Sequence, residues 1–200
     1  MTMTEQPLIR YRLTLLALVL LLYPTLVPAQ QKVEREYSIK VEQVPEKALQ
    51  FTAKAFGSKR LKWYAEESQK GRSIEAKIKQ DGTIYSIEFD EAGNLQDVEA
   101  LIKFGSLPKQ LRETIMKTLD LEFDRIKIHK VQLQWTGSDK ALLALISGEK
   151  PADTYTIRYE LIIRGTKGRK ASDYEVLVDE QGKTISKLRI VHRDHRHLIF

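Results

Sequence analysis

Three clusters in this 200-residue chain hold side chains able to do chemistry. The first, His192-Arg193-Asp194-His195-Arg196-His197, contains three of the four histidines. Imidazoles and a carboxylate at close spacing could ligate zinc or copper. Against that, Arg189, Arg193 and Arg196 repel a cation, and on an extended strand His192 points away from the face that His195 and His197 share. The expectation for residues 192–200 is a solvated basic tail, weakly responsive to pH near the ordinary histidine pKa of about 6.5. Metal or ligand sensing through His192, His195 and His197 is the alternative function.

The second cluster is Arg164-Gly165-Thr166-Lys167-Gly168-Arg169-Lys170. Four cations and two glycines could cradle an anion, but the spacing is not that of a P-loop and no Lys-Ser/Thr pair follows the second glycine. A basic hairpin loop accounts for it, and no nucleic-acid partner is expected. The third is Asp-Glu-x-Gly, present at residues 90–93 and again at 179–182. It lacks the alternating oxygens and distal Glu of a calcium loop, which leaves turn chemistry.

The standard catalytic constellations are missing: G-x-S-x-G, H-E-x-x-H, G-x-G-x-x-G and any cysteine. No catalytic, cofactor-binding or metal-ligating residue is therefore assigned, no cofactor is expected, and the chain reads as non-enzymatic. A hydrolase built from scattered residues would need a deep pocket with a buried acid or base. Trp63-Tyr64 and Trp135 occupy matching places early in two strand regions. Neighbouring strand residues face opposite sides, so one of the first pair enters the core and the other, beside Lys62 or Glu66, is a contact point for a partner.

The elements that must position these groups start after a leader. Arg10 and Arg12 precede the apolar run Leu13–Leu22, which is too short to span a bilayer. Val27 and Ala29 then stand at the −3 and −1 positions of a signal-peptidase site. Residues 1–29 are expected to be removed between Ala29 and Gln30, the rival being an uncleaved anchor. No cysteine is present to carry a lipid, and no later stretch is long and apolar enough to span. Cleavage removes two arginines and one glutamate, hence one unit of the formal +6. The excess is spread thinly and says little about partners. Without disulfides the remainder must fold on its own core, for which its length suffices.

The rest contains an internal echo. Val44-Pro45-Glu46-Lys47-Ala48-Leu49 is answered by Leu107-Pro108-Lys109-Gln110-Leu111-Arg112. Each proline suits a first helical position. Helical spacing puts Ala48, Leu49, Thr52, Ala53 and Phe56 on one face, and Leu111, Ile115, Met116 and Leu119 on another. The two acidic turns follow alternating strands, Tyr85/Ile87/Phe89 and Tyr174/Val176/Val178. The prolines lie closer together than Gly93 and Gly182 do, so the second copy carries an insertion near 138–151. There Ser138 can cap a short helix over Ala141–Ile146 that Gly148 ends, with a buried strand as the rival. Residues 72–80 alternate before an Asp81-Gly82 hairpin. Residues 154–164 alternate with Ile157, Tyr159, Leu161 and Ile163 inward and Thr156, Arg158 and Glu160 on a wet face.

The helix starts, strand pairs and Tyr-x-(Ile/Val)-x-(Phe/Val)-Asp-Glu-x-Gly turns, over nearly all of residues 37–191, resemble tandem PepSY-like domains. These are exported bacterial modules similar in fold to the β-lactamase-inhibitor protein. The resemblance implies a helix-on-antiparallel-sheet unit used twice, a concave sheet face, and a binding role that in the peptidase-propeptide branch holds proteases inactive. It carries no catalytic motif.

The combined expectation is an α+β chain with two repeats of helix packed on an antiparallel sheet. The first repeat is 30–106 and the second 107–191, before the basic His-rich tail 192–200. The protein is expected to be periplasmic or secreted, with no transmembrane segment after cleavage. It would present a sheet face with exposed aromatic and arginine side chains to an envelope protein or peptide.

Overall fold

The computed structural model of the protein describes residues 31–32, 34–68 and 71–191. The expected leader and cleavage site, and the His-rich tail, lie outside these residues. Ten strands are present: β1 (Gln31–Lys32), β2 (Glu34–Ser38), β3 (Lys62–Ser68), β4 (Gly71–Gln80), β5 (Thr83–Asp90), β6 (Leu95–Ile102), β7 (Arg125–Gly137), β8 (Tyr155–Lys167), β9 (Lys170–Asp179) and β10 (Thr184–Ile190). Among the described residues three α-helices accompany them, α1 (Glu46–Phe56), α2 (Lys109–Asp120) and α3 (Asp139–Ile146). Among the described residues no helix is long and apolar enough to cross a membrane.

All ten strands belong to one sheet in the order β1-β10-β9-β8-β7-β6-β5-β4-β3-β2. From β2 to β10 it is an antiparallel meander of nine strands, and only the β1–β10 contact is parallel. The expectation of two repeats, each a helix on its own sheet, is corrected by this continuity. β6 and β7, one from each half of the sequence, pair directly from Val98↔Trp135 to Ile102↔Val131, which leaves no sheet edge between the halves. The third helix joins them further. Leu142 and Ile146 of α3 fill the core made by α1 and β3–β6, so the second half of the sequence completes the core of the first.

The helices lie on one face of the sheet. Under α1 and α3, Phe51, Trp63, Ile74, Ile87, Phe89 and Val98 are buried together. Under α2, Leu111, Ile115 and Leu119 meet Val131, Leu161, Ile163, Val176 and Val178. The α1 stripe is rotated from the expected one, since Phe51 is buried and Ala53 exposed. Pro45 and Pro108 stand just before the helices rather than inside them. The stretch after Ser138 is a helix, and the Ser138 hydroxyl accepts from the Ala141 N–H at 3.2 Å. The β4–β5 hairpin turns on Asp81 (φ 50°) and Gly82 (φ 83°), the paired positive angles of a tight turn that matches strand twist.

The ends of the meander come together. β1 flanks β10 and β2 flanks β3, yet only one residue separates β1 from β2. A single short stretch of chain thus borders both ends, which requires the sheet to curl strongly. The helix-free face must lie on the inside of the curl, because its central polar side chains are buried with no element packed over them. Ser86, Asp97 and Gln132, three of the four buried polar residues among those described, sit there on β5, β6 and β7.

Candidate functional site

Strand pleating alone selects which side chains meet on the inner face. Val98 of β6 and Val131 of β7 point to the helices, so Asp97, Glu99, Gln132 and Gln134 point away from them. Register sets their neighbours. Ser86 opposes Glu99, Glu99 opposes Gln134, and Gln134 opposes Arg158. In adjacent rows Glu75, Glu88 and Asp97 run across β4–β6, and Leu101, Gln132, Glu160 and Leu177 across β6–β9.

Hydrogen bonds tie the centre together but leave it incomplete. Gln132 Nε2 donates to Glu99 Oε2 in a short contact, and Gln134 Nε2 donates to Asp97 Oδ2 at 3.2 Å and to Glu99 Oε1 at 3.4 Å. Asp97 Oδ1 and Gln132 Oε1 are buried and meet no donor among the described residues. Their parent residues are only 9% and 4% exposed. A buried acceptor left without a donor costs about 1–3 kcal/mol, so this is an energetically poor place to leave empty.

The carboxyls respond to the same crowding. Burial, then the negative charges of Glu160 and Asp97, push Glu99 up to about 9, with Lys130 opposing. Burial, then Glu88, Glu160 and Glu75, raise Asp97 well above the usual carboxylate range, with Arg158 opposing. Glu99 therefore holds its proton at neutral pH, and Asp97 is pushed in the same direction. The chain as a whole is basic, yet the middle of this face is built from acids and amides.

The sequence-derived candidates fall elsewhere. Arg164–Lys170 forms the end of β8, the β8–β9 turn and the start of β9. Its Arg164 pairs with Asp173 through two bonds of 2.8 and 3.0 Å, and Asp124 Oδ2 accepts from the Gly168 N–H at 2.6 Å. A carboxylate already occupies the backbone donor that an anion would use. The acidic turns are turns: Asp90 Oδ1 accepts from the Asn94 N–H, and Asp179 Oδ1 from those of Gln181 and Lys183. Among the described residues no three His, Cys, Asp or Glu side chains are placed to hold a metal.

Trp63 is in the core and Tyr64 is on the inner face, where Lys77 Nζ stands 4.6 Å from its ring centroid. Trp135 packs against the same core on the helix side. The expected aromatic and arginine patch is thus corrected to a carboxylate–amide centre with Tyr64 and Arg158 nearby. Sequence reasoning missed Asp97, Glu99, Gln132 and Gln134. The available signal was Asp-x-Glu on one strand facing Gln-x-Gln on the next, in strands that have neighbours on both sides.

A separate cleft of 1270 Å³ lies between Ser38–Glu42, α1 and residues 57–64, remote in sequence from these carboxyls. Its lining includes Leu49, Thr52, Leu61 and Trp63 with Lys59, Arg60 and Lys62.

No protein-family model and no curated protein matches the chain. Among solved structures it is similar to a DUF2874 family protein from Bacteroides ovatus, at 11% identity and TM-score 0.47, over 73% of this chain and 87% of that one. It is also similar to a BLIP-like protein from Bacteroides fragilis, at 17% identity and TM-score 0.46, over 76% and 92%.

Proposed function

We propose that the protein is an exported, non-enzymatic binding module that receives a protein or peptide partner on the inner face of its curled sheet. The observation that carries this is the pair of buried oxygens without a hydrogen-bond partner among the described residues, Asp97 Oδ1 and Gln132 Oε1, at the middle of a face that no helix covers. Polar groups on a merely solvated face would be wet, and those in a finished core would be paired. An incomplete hydrogen-bond set in a concave, helix-free surface suits a partner that supplies the missing donors. The carboxyls and amides offer acceptors and fixed dipoles, and no activated nucleophile stands among them.

Selection of a random displayed peptide library on the purified protein tests this. Bound sequences should be lost when Ser86→Trp fills the face, and kept when Lys117→Glu alters exposed α2. Thermal melts confirm that each variant folds. Peptides indifferent to Ser86→Trp would place binding elsewhere. The localisation rests on the leader sequence, and N-terminal sequencing of the protein from the envelope fraction should begin at Gln30.

A further inference from the structure

Resting on the binding role proposed above, we infer that the partner segment is basic, and that an arginine side chain from it enters the inner face between Asp97, Glu99 and Gln132. The geometry argues for a cation that is also a multiple donor. The centre contains two unpaired acceptor oxygens, Asp97 Oδ1 and Gln132 Oε1, and the two amide groups already spend Nε2 donors on Asp97 and Glu99. A guanidinium has five N–H donors, no acceptor and a permanent charge, so it meets the shortage without adding another unmatched oxygen. A metal ion fits less well, since no three ligating side chains converge among the described residues.

A polypeptide source is favoured by what adjoins the cluster. Leu101, beside Gln132 on the inner face, is 39% exposed, and Ile84 of β5 is 42% exposed on the same face. Exposed aliphatic side chains next to acceptors suit a basic residue with apolar neighbours, because the stem and flanks lie on carbon while the head reaches the carboxyls. Charge complementarity is local, since this cluster is acidic while the chain as a whole carries a net positive charge.

Entry of the cation couples to protons. The groups that face Asp97 and Glu99 are Glu75 and Glu88 from β4 and β5, Lys130 from β7, and Arg158 and Glu160 from β8. With negative charges in the majority, Glu99 keeps its proton when the face is empty and releases it when a guanidinium arrives, and Asp97 is biased the same way. Below the resting value of the group, affinity should therefore strengthen with pH by up to about tenfold per unit for each proton released.

The test uses a fluorescent hexapeptide alternating arginine and leucine, its citrulline counterpart, free arginine, and the purified full chain. Citrulline keeps the shape of arginine and removes its charge. Binding of the arginine peptide should weaken at least about tenfold in Asp97→Asn/Glu99→Gln. These amide variants remove charge that burial penalises, so the double variant should melt no lower than the wild type at neutral pH. The citrulline peptide should bind at least about tenfold more weakly, and free arginine should compete poorly.

Equal binding of both peptides would overturn the cationic inference while the binding role stands, because the displayed-library result does not depend on charge. Free arginine competing as well as the peptide would replace a polypeptide partner with a small molecule. No binding of the arginine peptide, with library peptides still bound, would also overturn it. Arg193→Ala/Arg196→Ala asks whether the chain's own tail is the occupant. A gain of about tenfold in peptide affinity would assign the site to the tail and remove the external partner, and unchanged affinity supports it.

Discussion

The two faces of the sheet are made by the same strands, and they solve burial in opposite ways. On the helix side Ile74, Ile87, Phe89, Leu161, Ile163, Val176 and Val178 pack into two apolar clusters and are almost wholly shielded. On the other side β4–β8 carry Glu75, Ser86, Glu88, Asp97, Glu99, Gln132 and Glu160, and Ser86, Asp97 and Gln132 are nearly as shielded without any covering element. The helix side is complete: removing an atom there leaves a void. The inner side leaves Asp97 Oδ1 and Gln132 Oε1 without a partner among the described residues, and what it lacks can be supplied from outside. Burial on this sheet therefore marks stability on one face and recognition on the other.

The comparison breaks most sharply if a core residue proves dispensable. Phe89→Ala should destabilise by about 3–5 kcal/mol in chemical denaturation, because Phe89 packs between Phe51 and Trp63 at centroid distances of 5.9 and 6.3 Å. A loss under about 1 kcal/mol would mean the helix face is not the folding core.

Gly93→Ala should cost about 1–3 kcal/mol by the same measurement. Gly93 has φ +82°, and a Cβ would stand 2.6 Å from Pro45 Cβ at the start of α1. Wild-type stability would show that the turn and helix are free to separate.

The inner face should show the reverse pH response from an ordinary acid. Unfolded Glu99 titrates near about 4.3, whereas the folded group titrates at about 9. Between those values the folded chain holds a proton that the unfolded chain has released, so stability must fall as pH rises through the window. Asp97 is shifted in the same direction. Glu99→Gln should flatten that fall and gain about 1–3 kcal/mol over the wild type at pH 8, read from denaturation midpoints. A parallel pH profile in the variant would show that Glu99 is ionised in the folded protein.

The smallest effect is expected at Arg164→Ala. Its bidentate pair with Asp173 is on the surface, and water screens it. The melting temperature should be unchanged and peptide binding intact. A clear loss of binding would move recognition from the inner face to the basic hairpin.

Local features were legible in the sequence because local physics makes them. Asp81-Gly82 dictates a hairpin whatever surrounds it, and the Ser138 cap with Ala141–Ile146 makes a helix that α1 and β6 then cover. The alternation in β4, β5, β8 and β9 correctly assigned the helix-facing residues. What joined two similar-looking halves into one sheet was not local. The β6–β7 ladder needs Val98 to meet Trp135 across an intervening helix, and neither stretch carries a mark naming its partner. The inner cluster was hidden for a related reason. Asp97, Gln132 and Glu160 have the pattern of an ordinary wet strand face, and only the approach of β1–β2 to both ends of the meander takes such a face out of water.

The side-chain amide signals of Gln132 and Gln134 give the most direct reading of the central claim. Their Nε2 protons point at Glu99 and Asp97, and heteronuclear NMR observes them without further chemistry. On titration with the arginine hexapeptide to saturation, both pairs of signals should move together with the backbone amides of Ser86 and Glu160. Saturation that shifts signals elsewhere and leaves Gln132 and Gln134 unmoved would contradict recognition by the inner face.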